Sequence, residues 1–271
     1  MVTLALIRDT FGEARARWIF WVLFGLSTLM ILFFLFLLRI DIVAGGTATV
    51  VRFGGSPQVP ADRLIRGIYG SIATFLYTFG MFLAVFASSG LLPSVLEPGR
   101  IELLLSKPIS RTHILLGRYA GNVLVVFLNS AYLVLGVWTI LGIKTGIWSP
   151  AFLIAIATTT FIFAVLLAVV VLIGVWLESA AAATMITVAL MIISPILAQT
   201  SFMMKLLSSE WSRNLWKTLY YALPKVYELG KMTLDAIQSR TFEGFMPIWS
   251  SALFGLAMLA GALVIFARRD F

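Results

Sequence analysis

Residues 145–177 read TGIWSPAFLIAIATTTFIFAVLLAVVVLIGVWL, 33 positions without an Asp, Glu, Lys, Arg or His. A helix needs about 20 apolar residues to cross a ~30 Å hydrocarbon core, so this stretch spans a bilayer with length to spare. Five further uncharged runs flank it, at 18–38, 67–96, 119–143, 179–204 and 244–267. The whole chain is 61% hydrophobic and 12% charged, far from the roughly 45–50% and 25% of a soluble domain. Membrane barrels use alternating segments of about 10 residues, which these runs exclude. The expected fold is an all-α membrane protein, a single transmembrane domain over 1–271. Its six spans are expected at about 18–38, 67–93, 119–142, 150–177, 180–204 and 246–267. The first run is too long and lacks the small-residue cleavage site of a signal peptide, so it reads as a retained span.

The connectors carry their own patterns. In 1–17, Leu4, Ile7, Phe11, Ala14 and Trp18 recur at helical spacing while Arg8, Asp9, Glu13, Arg15 and Arg17 fall elsewhere. That predicts an interfacial amphipathic helix, the alternative being a frayed basic tail. In 39–66, Gly45-Gly46 ahead of the Thr/Val-rich 47–53 is the signal for a small hairpin. Glu178 and Ser179, followed by four alanines, predict a tight turn between spans four and five. The 205–243 connector holds two amphipathic stretches divided at Pro224. The second sets Val226, Leu229, Thr233 and Ile237 against Lys225, Glu228, Lys231 and Asp235. Both are expected to lie flat on one membrane face.

Several chemistries are excluded by what the chain lacks. It has no cysteine and one histidine, His113, so thiolate, iron–sulfur and histidine-cluster metal sites are ruled out. No G-x-x-x-x-G-K-[ST] loop occurs: Gly230-Lys231 is followed by Met232. The chain therefore needs no cofactor of its own, is not itself an ATPase, and any energy it uses comes from another subunit. The uncharged spans argue against proton-coupled transport, which normally relies on intramembrane ionisable groups. The net charge of +8 points to anionic membrane lipids and not to nucleic acid. Asn122 and Asn129, seven residues apart on one helix face, read as interhelical hydrogen-bonding groups or, alternatively, as substrate contacts.

The most informative connector starts at Leu96 and reads LEPGRIELLLSKPISRTHILLGR, ending at Arg118. Pro98-Gly99 breaks the preceding span, and 101–106 make about two helical turns before Pro108. Ile101, Leu104 and Leu105 share a face of that short helix. Exposing such an apolar cluster is unfavourable, so it reads as a surface for a partner's groove, the alternative being a solvated turn.

These residues resemble the permease subunit of bacterial ATP-binding-cassette exporters of the type-2, type V class. Such permeases carry an acidic residue, Gly-Thr-Leu-Glu-Leu-Leu-Leu-Ser, x-Pro-Val-Ser-Arg and Leu-Leu-Gly-Lys. Glu97, Gly99, Glu102, Leu103, Leu104, Leu105, Ser106, Pro108, Ser110, Arg111, Leu116, Gly117 and Arg118 match, while Pro98, Arg100 and Ile101 depart. The resemblance implies a cytoplasmic coupling helix over 97–108 that docks on a separate ATPase subunit. The implied docking residues are Glu97, Gly99, Ile101, Glu102, Leu104, Leu105, Pro108 and Arg111, with Glu178 at a second contact. It also implies two ATPase copies holding ATP and Mg, a second permease copy as homodimer partner, and an exterior accessory protein. Spans two and five of the two copies would face the pathway, making Thr74, Tyr77, Thr78, Met81, Met191, Ser194 and Gln199 candidate lining residues.

The expected location is the bacterial cell membrane with both termini cytoplasmic and 205–243 outside. Lys and Arg agree, with 9 over 44 connector residues on the terminal side against 11 over 68 opposite. The competing readings are a membrane anchor that recruits a soluble enzyme without transport, and a stand-alone channel. No selectivity-filter pattern supports the channel.

Overall fold

The computed structural model describes residues 12, 18–37, 40–43, 47–50, 59–89, 111–241 and 244–268. The expected N-terminal helix over 1–17 and the coupling helix over 97–108 therefore lie outside the described residues, save for Gly12. Everything within the described spans is helical, and one small sheet lies between the first two. Among the described residues, five helices are long and apolar enough to cross a membrane. A sixth, α1 (Trp18–Leu32), reaches 20 residues when its π-helical extension Phe33–Leu37 is included.

The sheet answers the hairpin signal. β1 (Ile40–Val43) pairs antiparallel with β2 (Thr47–Val50), Val43 opposite Thr47 and Ile40 opposite Val50. β3 (Val59–Pro60) adds to the other edge of β2. Pro60 then leads into α2 (Ala61–Phe75), so the second helix starts six residues ahead of the uncharged run. A π-helical stretch, Leu76–Gly80, joins α2 to α3 (Met81–Ser89), and together these form span two. α2 is amphipathic: Ile65, Tyr69, Ile72 and Ala73 are buried, whereas Arg63, Gly67, Ser71 and Thr74 are exposed.

α4 (Arg111–Thr145) has 35 residues. At 1.5 Å per residue it is about 52 Å long, some 20 Å more than a hydrocarbon core. Its charged start, Arg111 to Arg118, accounts for much of the excess. Gly146 (φ 70°) closes the helix in the left-handed conformation that glycine adopts without strain. Gly142 has a different role, because a Cβ there would meet the Trp148 ring at 2.6 Å. Trp148 folds over that gap onto Trp138, which donates its indole N–H to the Ser149 carbonyl at 3.0 Å.

After a 3-10 turn at Pro150–Leu153 comes α5 (Ile154–Leu177), span four, which is apolar all round. A helix of that kind must be surrounded, and α5 is the hub of the bundle. The helices that follow are α6 (Ala180–Ala198), α7 (Thr200–Leu206), α8 (Glu210–Ala222), α9 (Val226–Ile237) and α10 (Met246–Ala267). Of all these helices, α5 packs against α3, α4, α6, α9 and α10. α1 sits outside, with Trp18, Trp21 and Phe36 exposed. Among its described side chains only a narrow face bearing Leu23, Ser27 and Phe34 is buried, against α3 and α4. There Ser27 donates to the Asn129 amide oxygen at 3.4 Å and Phe24 stacks on Tyr132. Asn129 thus takes the interhelical role, while Asn122 donates to the Arg118 carbonyl of its own helix.

Of the two stretches expected to lie flat, only α8 has no buried residue. α9 buries Val226, Leu229, Gly230, Thr233 and Ile237 against α2, α5 and α6. Its apolar stripe faces protein instead of lipid. The reason is that Gly230 and two threonines on the contact let the backbones approach.

Candidate functional site

The wedge of α9 against span two gathers polar groups from several spans. At its centre the Tyr77 ring covers Gly230, and a Cβ on Gly230 would meet Cδ2 and Cε2 of Tyr77 at 2.9 Å. Tyr77 belongs to the π-helical stretch of span two, a feature that turns side chains off the ordinary helical register and recurs at functional sites. Beside it, Thr233 Oγ1 donates to Thr158 Oγ1 at 2.8 Å, tying α9 to α5. A small cavity lies among Thr74, Tyr77, Thr158, Gly230 and Thr233.

The amino end of α9 is capped by other spans. Its first backbone amides need acceptors. Ser251 of α10 accepts from the Lys225 amide at 3.0 Å, and Ser194 of α6 accepts from the Tyr227 amide at 2.9 Å. Lys225 itself is 3% exposed. Its ammonium donates to the Tyr220 carbonyl at 3.0 Å and lies over the Tyr220 ring. Burial lowers the Lys225 pKa, with Glu228 opposing. Tyr220 donates its hydroxyl to Glu228 Oε1 at 2.7 Å, and burial together with that bond pushes the phenol up. The carboxyl end of α9 is held as well. Arg66 of α2 pairs with Asp62 at 2.9 Å and donates to the Ser239 hydroxyl.

Opposite this region, α5 and α6 are joined by Glu178 and Ser179 alone. Glu178 is exposed with φ 53°, a left-handed conformation unusual for a residue with a side chain. Ser179 caps α6 by accepting from the Ala182 amide at 3.2 Å.

A family model described as ABC-2 family transporter protein matches residues 4–271. The chain belongs to that family. It is a multi-pass transmembrane subunit of an ABC transporter, of a kind that pairs with an ATPase subunit and is generally not catalytic itself. No curated protein matches it.

In this ABC-2 permease the expected docking residues Glu97, Gly99, Ile101, Glu102, Leu104, Leu105 and Pro108 lie outside the described residues, while Arg111, also expected there, opens α4. The seven lining candidates separate into two groups. Thr74 and Gln199 are exposed, and Tyr77 and Thr78 are half-buried. Met81 and Met191 pack into one buried cluster with α5, and Ser194 is spent on capping α9. Sequence reasoning missed Lys225 and the wedge. Gly230 on the apolar face of α9 was the available signal, because a glycine inside a helix gives up stability unless close packing needs it.

Proposed function

We propose that this permease forms half of an export pathway, pairing with a second copy of itself and driven by two ATPase subunits that hold ATP and Mg. The family match along residues 4–271 carries the proposal, on a chain without a phosphate loop. The 97–108 segment docks on the ATPase with Ile101, Leu104 and Leu105, flanked by Glu97, Gly99, Glu102, Pro108 and Arg111. Glu178 makes a second contact. α4 supports such coupling, since a rigid helix of 35 residues carries a displacement at Arg111 into the bundle. Both termini are cytoplasmic, and α8 and α9 stand at the exterior exit, where an accessory protein binds.

The exposed polar stripe Gly67, Ser71 and Thr74, continued by Thr78, faces the pathway. Its hydroxyls suit that position: Ser71, Thr74 and Thr78 each donate to the carbonyl four residues earlier. They therefore present an oxygen outward without an unsatisfied proton. Tyr77 and Gln199 border the same surface, and the buried Met81, Met191 and Ser194 hold its wall. The test is co-expression with a candidate ABC ATPase subunit, followed by purification. The expected result is a stable complex that hydrolyses ATP and a permease that alone hydrolyses none. Turnover by the isolated permease, or a reporter near Ser239 labelled from the cytoplasm of intact cells, would overturn the reading.

A further inference from the structure

Asp62, Arg63, Arg66, Gly67, Gln238 and Arg240 line an open cleft of about 540 Å³ between the start of α2 and the residues that follow α9. Three arginines face one carboxylate there. Asp62 is already engaged by Arg66, whose guanidinium is also held by Ser239. The cleft thus has one fixed cation at its back. Arg63 and Arg240 are exposed, and their side chains have no ion-pair partner among the described residues. Three guanidiniums against one committed carboxylate leave a net positive charge whose geometry suits a tetrahedral anion, because each planar fork donates two parallel hydrogen bonds. The position is also specific. The uncharged run of span two begins at Gly67, so the cleft stands where the chain passes from charged connector to apolar span, the level of lipid phosphates.

We propose that this cleft binds a phosphate-bearing anion, supplied in the membrane by the headgroup of an anionic phospholipid. Bound there, the phosphate bridges Arg63 of α2 and Arg240 beyond α9, and reinforces the Arg66–Ser239 link between span two and the wedge. It requires no particular cargo and does not rest on the export reading.

The test uses the full chain in detergent, with thermal stability and lipid affinity measured against phosphatidylglycerol, phosphatidylcholine and inorganic phosphate. Phosphatidylglycerol should bind more tightly than phosphatidylcholine and raise Tm, with the effect weakening at high salt. R63Q/R240Q should fold with unchanged Tm in lipid-free detergent and lose about tenfold or more in phosphatidylglycerol affinity, since roughly 1.4 kcal/mol is one decade. Stabilisation by inorganic phosphate at matched concentration, abolished by the same variant, would support the phosphate site and assign it to a free anion. Equal binding of the two lipids with no effect of phosphate would overturn the proposal, as would full retention of binding by R63Q/R240Q.

Discussion

The ring of Tyr77 lies so close over Gly230 that a methyl group on Gly230 would come within 2.9 Å of two ring carbons. This contact presses the wedge helix α9 onto the π-helical stretch of span two. It explains why a glycine occupies the middle of a 12-residue helix.

Gly230→Ala sets two effects against each other. Alanine favours the helix by about 1 kcal/mol, while forcing a methyl into a packed site costs about 1–3 kcal/mol. With three ring atoms at 2.9–3.1 Å, overpacking should win and Tm should fall. Gly70→Ala is the control: its methyl would meet nothing closer than 3.7 Å, so Tm should hold or rise. A G230A protein as stable as wild type would show that the wedge is loosely seated.

Lys225 gives a pH signature. Burial depresses its pKa below the ordinary 10.5, so as pH rises the folded state releases this proton before the unfolded state does. Stability withheld by the buried charge is regained between the lowered pKa and 10.5. Wild type should therefore gain stability relative to Lys225→Met as pH is raised toward 10.5, the comparison removing most of the opposite contribution of Tyr220, whose raised pKa destabilises the fold above 10. Denaturation at several pH values decides it, and a flat or falling difference would refute the assignment.

Lys144 donates to the Phe34 and Leu35 carbonyls at 2.7 and 2.6 Å, where the π-helical end of α1 leaves acceptors unused. Lys144→Met should cost about 1.5–3 kcal/mol and loosen α1 first. Protease sensitivity in the 38–58 connector should rise before the global Tm falls by the same measure.

Glu178 is left-handed at φ 53°. For a residue with a Cβ that conformation costs about 1–2 kcal/mol, and glycine avoids the cost. Glu178→Gly should raise the Tm of the isolated permease. If its carboxylate contacts the ATPase subunit, the same variant should lower ATP turnover in the complex, and unchanged turnover would remove Glu178 from the docking surface.

The docking segment is tested directly. Burying Leu104 and Leu105 on a partner is worth roughly 1.5–3 kcal/mol each, so replacing both with alanine should weaken ATPase association well over tenfold. The Tm of the free permease should not change. A double variant that unfolds the bundle but binds the ATPase normally would mean that these leucines pack against their own chain.

The spans were legible in the sequence because uncharged length is a local property: 145–177 must leave water whatever surrounds it. The same holds for the turn at Glu178-Ser179 and for the hairpin, whose signals lie within a few residues of the structure they form. The placement of α9 was not legible. The stripe Val226, Leu229, Thr233 and Ile237 satisfies a membrane surface and a protein groove equally well. What selects the groove comes from residues far along the chain: Tyr77 against Gly230, Thr158 for Thr233, and the Ser194 and Ser251 hydroxyls for the amides at its start. The same reasoning applies to Lys225, which reads as a charge on a surface helix until Tyr220 and α10 enclose it. Hydrophobic length decides which segments cross the membrane, but only tertiary packing shows which polar groups find partners once water is excluded.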